Sequence, residues 1–173
     1  MQPLASGQRI WLEMKPDLAA ASPWTRVWIP AGAAVFVVAL IVSAGAVPQL
    51  RLLHFLQALL YAAVVLLARR NSALAFGAGV TVAVVWNGLN LFVTHLMQAG
   101  AAAFWSFLHT GQLQRVDTMM VTLGGVGHFI LIMSCLVAVI QQRTESKKWW
   151  RFAAGGVAAL AYLALIVAIA RPR

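Results

Sequence analysis

Five long apolar stretches take up most of this chain, and no Asp, Glu or Lys lies within their cores. A charge at the centre of a bilayer costs roughly 2.5–3.5 kcal/mol on insertion scales. Charges confined to the gaps therefore mark a chain suited to lipid. The stretches are Val27–Val47, Leu50–Ala68, Ala73–Gln98, Thr118–Ile140 and Trp149–Ala170. As a helix rising about 1.5 Å per residue, each crosses a hydrocarbon core of about 30 Å. An open strand would leave its backbone polar groups unpaired in lipid, so the helix is the expected spanning form. The expected fold is all-α, a polytopic membrane protein built as a bundle of five transmembrane helices.

The chain has 173 residues, enough for one compact helical unit and no separate soluble domain. Residues 1–26 read as a cytoplasmic N-terminal segment, in which Ile10, Trp11, Leu12 and Met14 fit a short interfacial helix. Residues 27–170 form the transmembrane domain and 171–173 a C-terminal tail. Within the domain, 99–117 reads as an outer interfacial segment, because Phe104, Trp105, Phe107 and Leu108 give it an aromatic patch. Thr110–Gly111–Gln112 then reads as a turn. The segment is either a spacer between the third and fourth spans or a lid over a site. Ser43–Ala44–Gly45–Ala46 resembles a signal-peptidase site, but the polar region before it is long for a leader, so an uncleaved first helix is expected.

The net charge of +9 would suggest nucleic acid in a soluble protein. Here the basic residues follow membrane topology, and no nucleic-acid partner is expected. Arg9, Lys15, Arg26, Arg69, Arg70, Arg143, Lys147, Lys148 and Arg151 share one side, and Arg51, Arg115, Arg171 and Arg173 the other. Nine against four predicts the N-terminus inside and the C-terminus outside. Trp24, Trp28, Trp149 and Trp150 then fall at the inner interface, where amphipathic rings settle.

Polar residues gather on the outward half. Arg51, His54, Gln57 and Tyr61 fall in one stripe of the second span, about 120° wide by helical count. Asn87, Asn90, Thr94, His95 and Gln98 do so on the third, and Thr118, Thr122 and His128 lie on the fourth beside Gly124, Gly125 and Gly127. Such side chains turn toward a bundle interior, since acyl chains give them no partner. His54 and His95 lie about 4–6 Å below the outer boundary and His128 about 15 Å deep, by helical rise.

Neutral imidazoles ligate haem iron, copper or zinc. His54 and His95, matched in depth, could bracket a haem b or hold a transition metal, with His128 as a third ligand or a hydrogen-bond donor. Gln57 and Asn90 could instead hold a quinone carbonyl. The competing reading is packing, because His, Asn, Gln and Gly are ordinary tools of transmembrane association. His109 in the outer gap needs no partner, and Cys135, the single cysteine, reads as a small core residue. Tyr61 and Trp86 read as packing residues.

The run Arg51–Leu60 resembles the first histidine-bearing helix of bacterial cytochrome b561-type proteins. That family's other paired histidine motifs are missing, and five spans depart from its four-helix core, so no family is assigned.

The four acids, Glu13, Asp17, Asp117 and Glu145, all fall outside the spans. Paired intramembrane carboxylates are thereby excluded, and with them aspartyl hydrolysis. A coupled carrier usually keeps such a carboxylate too. Ser134 and Cys135 lie about 9–10 Å from His128 along their helix, too far for direct proton transfer. Enzymes therefore rank last. The leading expectation is a non-catalytic integral subunit that packs in a larger membrane complex or homo-oligomer through small-residue faces such as Gly155, Gly156 and Ala159. The alternative is a haem-, metal- or quinone-binding redox protein with a histidine-lined site on the outer side. A small oligomeric channel or permease lined by Asn87 and Asn90 comes third. Expected partners are membrane lipids and other membrane subunits or further copies. The alanine-rich helices point to a bacterial source, and so to the inner (cytoplasmic) membrane.

Overall fold

The computed structural model describes residues 24–112, 115–142 and 146–170, and every regular element among them is helical. Helix α1 (Ile29–Ala46) is entered through a π turn at Trp24–Trp28, and α2 (Arg51–Ala68) through a 3-10 turn at Pro48–Leu50. Helix α3 (Ala73–Gly88) leaves through a π turn at Leu89–Val93, and α4 (Leu96–Thr110), α5 (Val116–Gln141) and α6 (Lys148–Ala170) follow. Five segments are long and apolar enough to cross a membrane: Trp24–Ala46, Pro48–Ala68, Ala73–Val93, Val116–Gln141 and Lys148–Ala170. The protein is therefore an all-α polytopic membrane protein with five spans. The expected helix around Ile10–Met14 and the 171–173 tail lie outside the described residues.

The third span is shorter than its apolar run, ending at Val93 where the sequence pattern carried it to Gln98. The reason is local competition for backbone groups. Asn90 Nδ2 donates to the Trp86 carbonyl at 2.9 Å, while the widened turn closes with Thr94 N–H donating to the Leu89 carbonyl at 2.9 Å. Thr94 Oγ1 donates to Asn90 Oδ1 at 3.4 Å and accepts from Leu96 N–H at 3.4 Å, which starts the next helix. Between the two, His95 turns the corner at φ 55°, a left-handed conformation in which His is enriched among non-glycine residues. At the other end of α4, Gly111 takes φ 68° and donates its N–H to the Phe107 carbonyl at 2.8 Å, the expected turn.

Helix α5 is the centre of the bundle. Half of its apolar window (50%) is buried, against 11% for the second span and 17% for the fifth. Helices α1, α3 and α4 pack on it, α6 packs on α3, and α2 lies against α1, α3 and α6. Two crossings bring backbone onto backbone. A Cβ at Gly32 would come 2.8 Å from the Gly127 carbonyl oxygen, and one at Gly127 would come 2.8 Å from that of Gly32. Helices α3 and α6 close more tightly still, since a Cβ at Gly77 would run into the Phe152 carbonyl and one at Gly155 into that of Leu74. The small-residue face of Gly155, Gly156 and Ala159, expected to meet a partner, is therefore spent inside the chain against α3.

Turns are tied at both ends of the bundle. At one end, Gln142 Nε2 donates to the Asn71 carbonyl, joining the α2–α3 turn to the exit of α5. Lys148 Nζ donates there to the carbonyls of Gln142 at 2.6 Å and Ile140 at 3.3 Å. At the opposite end, Arg51 Nε donates to the Ala44 carbonyl at 3.1 Å, engaging one of the final carbonyls of α1. On α6, Tyr162 donates its hydroxyl to the Leu56 carbonyl at 2.8 Å and so reaches α2.

Because the α3–α6 contact is backbone against backbone, no side chain can swing away to relieve an added group. Gly155→Val is expected to cost at least about 1–3 kcal/mol, read from unfolding in detergent by circular dichroism. Gly45→Ala is the control: nothing lies within 4 Å of its added Cβ, and its stability should stay within about 0.5 kcal/mol of the parent or rise.

Candidate functional site

Two polar constellations stand one above the other in the outward-reading half of the bundle. The deeper one centres on His128, which is fully buried on α5. Its Nδ1 lies 3.1 Å from Asn87 Oδ1 on α3, and its Nε2 lies 2.5 Å from the Tyr61 hydroxyl on α2. An amide oxygen only accepts, so Nδ1 carries the proton of the neutral ring, Nε2 accepts, and Tyr61 donates. Both ring nitrogens are thereby used. Phe36 of α1 stacks on the imidazole with centroids 3.9 Å apart, and Trp86 of α3 stands edge-on at 4.9 Å. Gly124 makes room for this cage, because a Cβ there would come 3.1 Å from the Phe36 ring and 3.4 Å from the Trp86 ring.

The shallower constellation is a cavity of about 160 Å³ roofed by the α1–α2 turn and the start of α4. Its walls include Phe36, Trp86, His54, Gln57 and Asn90. His54 and Gln57 come from the first turns of α2, three positions apart and so on one face. Asn90 reaches in from the π turn. His54 Nδ1 and Gln57 Oε1 are both buried with no hydrogen-bond partner among the described residues. An unpaired buried polar atom costs about 1–3 kcal/mol, and these two atoms are closed off within the packing of α2 rather than presented to the cavity. Asn90 is already engaged, with Trp86 and Thr94.

The structure thus brings together three of the residues singled out in the sequence, His54, Gln57 and Asn90, and separates the histidines. His128 is caged beneath the cavity, and His95 is exposed at the α3–α4 corner, outside the cavity walls. His54, His95 and His128 do not converge as ligands, and no group of three or more His, Cys, Asp or Glu among the described residues is placed to hold a metal ion. Nor do the residues fit a haem: His54 faces a space of about 160 Å³, well below the roughly 300–1,000 Å³ of ordinary ligand pockets. Tyr61, Phe36 and Trp86 are the residues that sequence reasoning passed over as functional neighbours. Tyr61 carried a usable signal, since ten residues from Arg51 place it about 15 Å deep, level with His128.

The chain was compared with protein-family models, curated proteins and solved structures, and it matches none of them.

The buried network makes a stability prediction. Tyr61→Phe keeps the ring and leaves His128 Nε2 without a donor, which should cost about 1–3 kcal/mol. A double-mutant cycle of Tyr61→Phe with Asn87→Leu, followed by unfolding in detergent, should give a coupling of about 0.5–3 kcal/mol through the shared imidazole.

Proposed function

We propose that the protein is a non-catalytic integral membrane subunit that assembles with further transmembrane helices, in a larger complex or as a homo-oligomer, in a bacterial inner membrane. The surface of α2 carries this reading. Only 11% of the apolar window of that span is buried within the chain, and a groove runs along each flank. One groove, of about 570 Å³, lies between α1 and α2 over Ala33, Ala34, Ala58 and Ala62. The other, of about 430 Å³, lies between α2, α3 and α6 over Ala63, Ala75, Ala78 and Ala158.

In lipid no hydrophobic force joins helices, and close van der Waals contact across small residues does the work instead. The α3–α6 crossing uses that means inside the chain, and the alanine-floored grooves beside α2 offer the same kind of seat to a helix from outside. The polar content adds support. The one acid among the described residues, Asp117, lies 4.0 Å from Arg115 with much of both side chains exposed, away from the spans' interior. The nine-to-four distribution of basic residues supports an N-terminus inside and a C-terminus outside.

Orientation is tested by labelling single cysteines in intact cells, in a Cys135→Ser background, with a membrane-impermeant maleimide. Thr110→Cys should react from outside and Ser146→Cys only after permeabilisation; the reverse pattern overturns the orientation. Assembly is tested by cross-linking Ala62→Cys and Ala63→Cys in native membranes. A covalent dimer means self-assembly, and an adduct with another chain means a larger complex. Monomer at both positions, with the mass of one chain in lipid nanodiscs, defeats the proposal.

A further inference from the structure

We infer that the groove between α1 and α2 holds one anionic phospholipid, with its phosphate at Arg69 and an acyl chain along the alanine floor. The inference goes beyond assembly and stands without it, because both walls belong to one chain. The two grooves beside α2 differ in one respect that divides their occupants. The walls of the groove between α2, α3 and α6 carry no charge, which suits an apolar partner helix. The α1–α2 groove has Arg69 among its walls.

Arg69 follows the last residue of α2, so its charge stands where the span meets the headgroup layer. Its side chain is exposed and makes no hydrogen bond or ion pair among the described residues. The one acid among those residues, Asp117, begins α5 beside Arg115, whereas the turn after Arg69 is tied to the exit of α5. A lipid phosphate is therefore the complementary charge at this depth, and the guanidinium fork binds phosphate through paired N–H donors. Basic pockets between transmembrane helices take anionic head groups by this means.

The groove then accounts for the tail. From Arg69 it follows α2 back to Phe55, fourteen positions away, or about 21 Å by helical rise. One leaflet contributes half of a hydrocarbon core of about 30 Å. An acyl chain anchored at Arg69 thus stays in the groove through the full depth of its leaflet. Ala33, Ala34, Ala58 and Ala62 keep the floor low, while Phe55 and Leu66 in the same walls stand 62% exposed. Methyl groups between taller side chains give a chain of methylenes close contact along its length.

The test is native mass spectrometry of the full-length protein, titrated in detergent with dioleoyl phosphatidylglycerol and, in parallel, dioleoyl phosphatidylcholine. The two lipids share their tails, and only the first carries a net negative charge. Lipids are counted per chain, so the result reads the same whether or not copies assemble. One phosphatidylglycerol per chain is expected, held about tenfold tighter than phosphatidylcholine. Arg69→Gln should weaken phosphatidylglycerol by about tenfold and leave phosphatidylcholine unchanged. Arg70→Gln removes the same charge from outside the groove and should leave the preference in place. Ala62→Leu raises the floor and should weaken both lipids. Ala62 and Arg69 are both exposed, so these variants should keep the parent's unfolding temperature. Equal binding of the two lipids would mean that the head group is not recognised. Equal losses in Arg69→Gln and Arg70→Gln would mean diffuse attraction to the basic end of the bundle. Phosphatidylglycerol binding that survives Ala62→Leu would mean an anion held without its tail. Each of these three results overturns the inference.

Discussion

The imidazole of His128 is the point on which the bundle depends. It is fully enclosed, and four spans contribute to its enclosure: Phe36 from α1, Tyr61 from α2, Asn87 and Trp86 from α3, and the histidine itself from α5. Hydrocarbon provides no alternative partner for either ring nitrogen, so the two hydrogen bonds discriminate against any helix register that breaks them. Apolar contacts alone tolerate sliding by a turn. A hydroxyl 2.5 Å from one nitrogen and an amide oxygen 3.1 Å from the other do not.

Glycine then decides how closely the pinned helices approach. Gly32 and Gly127 let α1 lie against α5 at the residue next to His128 and one turn from Phe36, which is why Phe36 reaches the imidazole face at 3.9 Å. The α3–α6 crossing through Gly77 and Gly155 has no polar pin beside it and relies on backbone proximity. The two halves of the bundle are therefore held by different physics. Hydrogen bonds set register in the polar half, and close-packed small residues with the Gln142–Asn71 clasp hold the apolar half.

Much of this was legible in the residues. Charge-free apolar runs gave the spans, and helical spacing turned Tyr61, Asn87, Asn90 and His128 toward the interior, where they lie. The third span was overextended because hydropathy continues past Val93, while the signal that ends it is the side-chain chemistry of Asn90 and Thr94, which a hydropathy window averages away. The pairing of histidines went astray for a related reason. Depth matching joined His54 to His95 on the assumption that α3 ran straight to Gln98, and the left-handed turn at His95 carries that side chain out of the site. Depth matching applied to Tyr61 and His128 would have found the true contact. The Gly155–Gly156–Ala159 face is a different case. A small-residue stripe says that something packs there, and only the fold says that the partner is α3 rather than another chain.

The same arrangement bears on transport. The polar column begins at the cavity lined by His54 and Gln57, passes Phe36 and Trp86, and ends at His128, whose two nitrogens are both committed. Below it the buried face of α5 continues as Leu131, Cys135, Ala138 and Val139. The one hydroxyl on that stretch, Ser134, is returned to its own helix at the Ile130 carbonyl, 2.6 Å away. An ion or proton crossing a single copy would have to part this packed face and break the network that sets the register of the helices. Asn87 and Asn90 therefore do not line a through-path in one copy: Asn87 holds the imidazole and Asn90 holds the π turn.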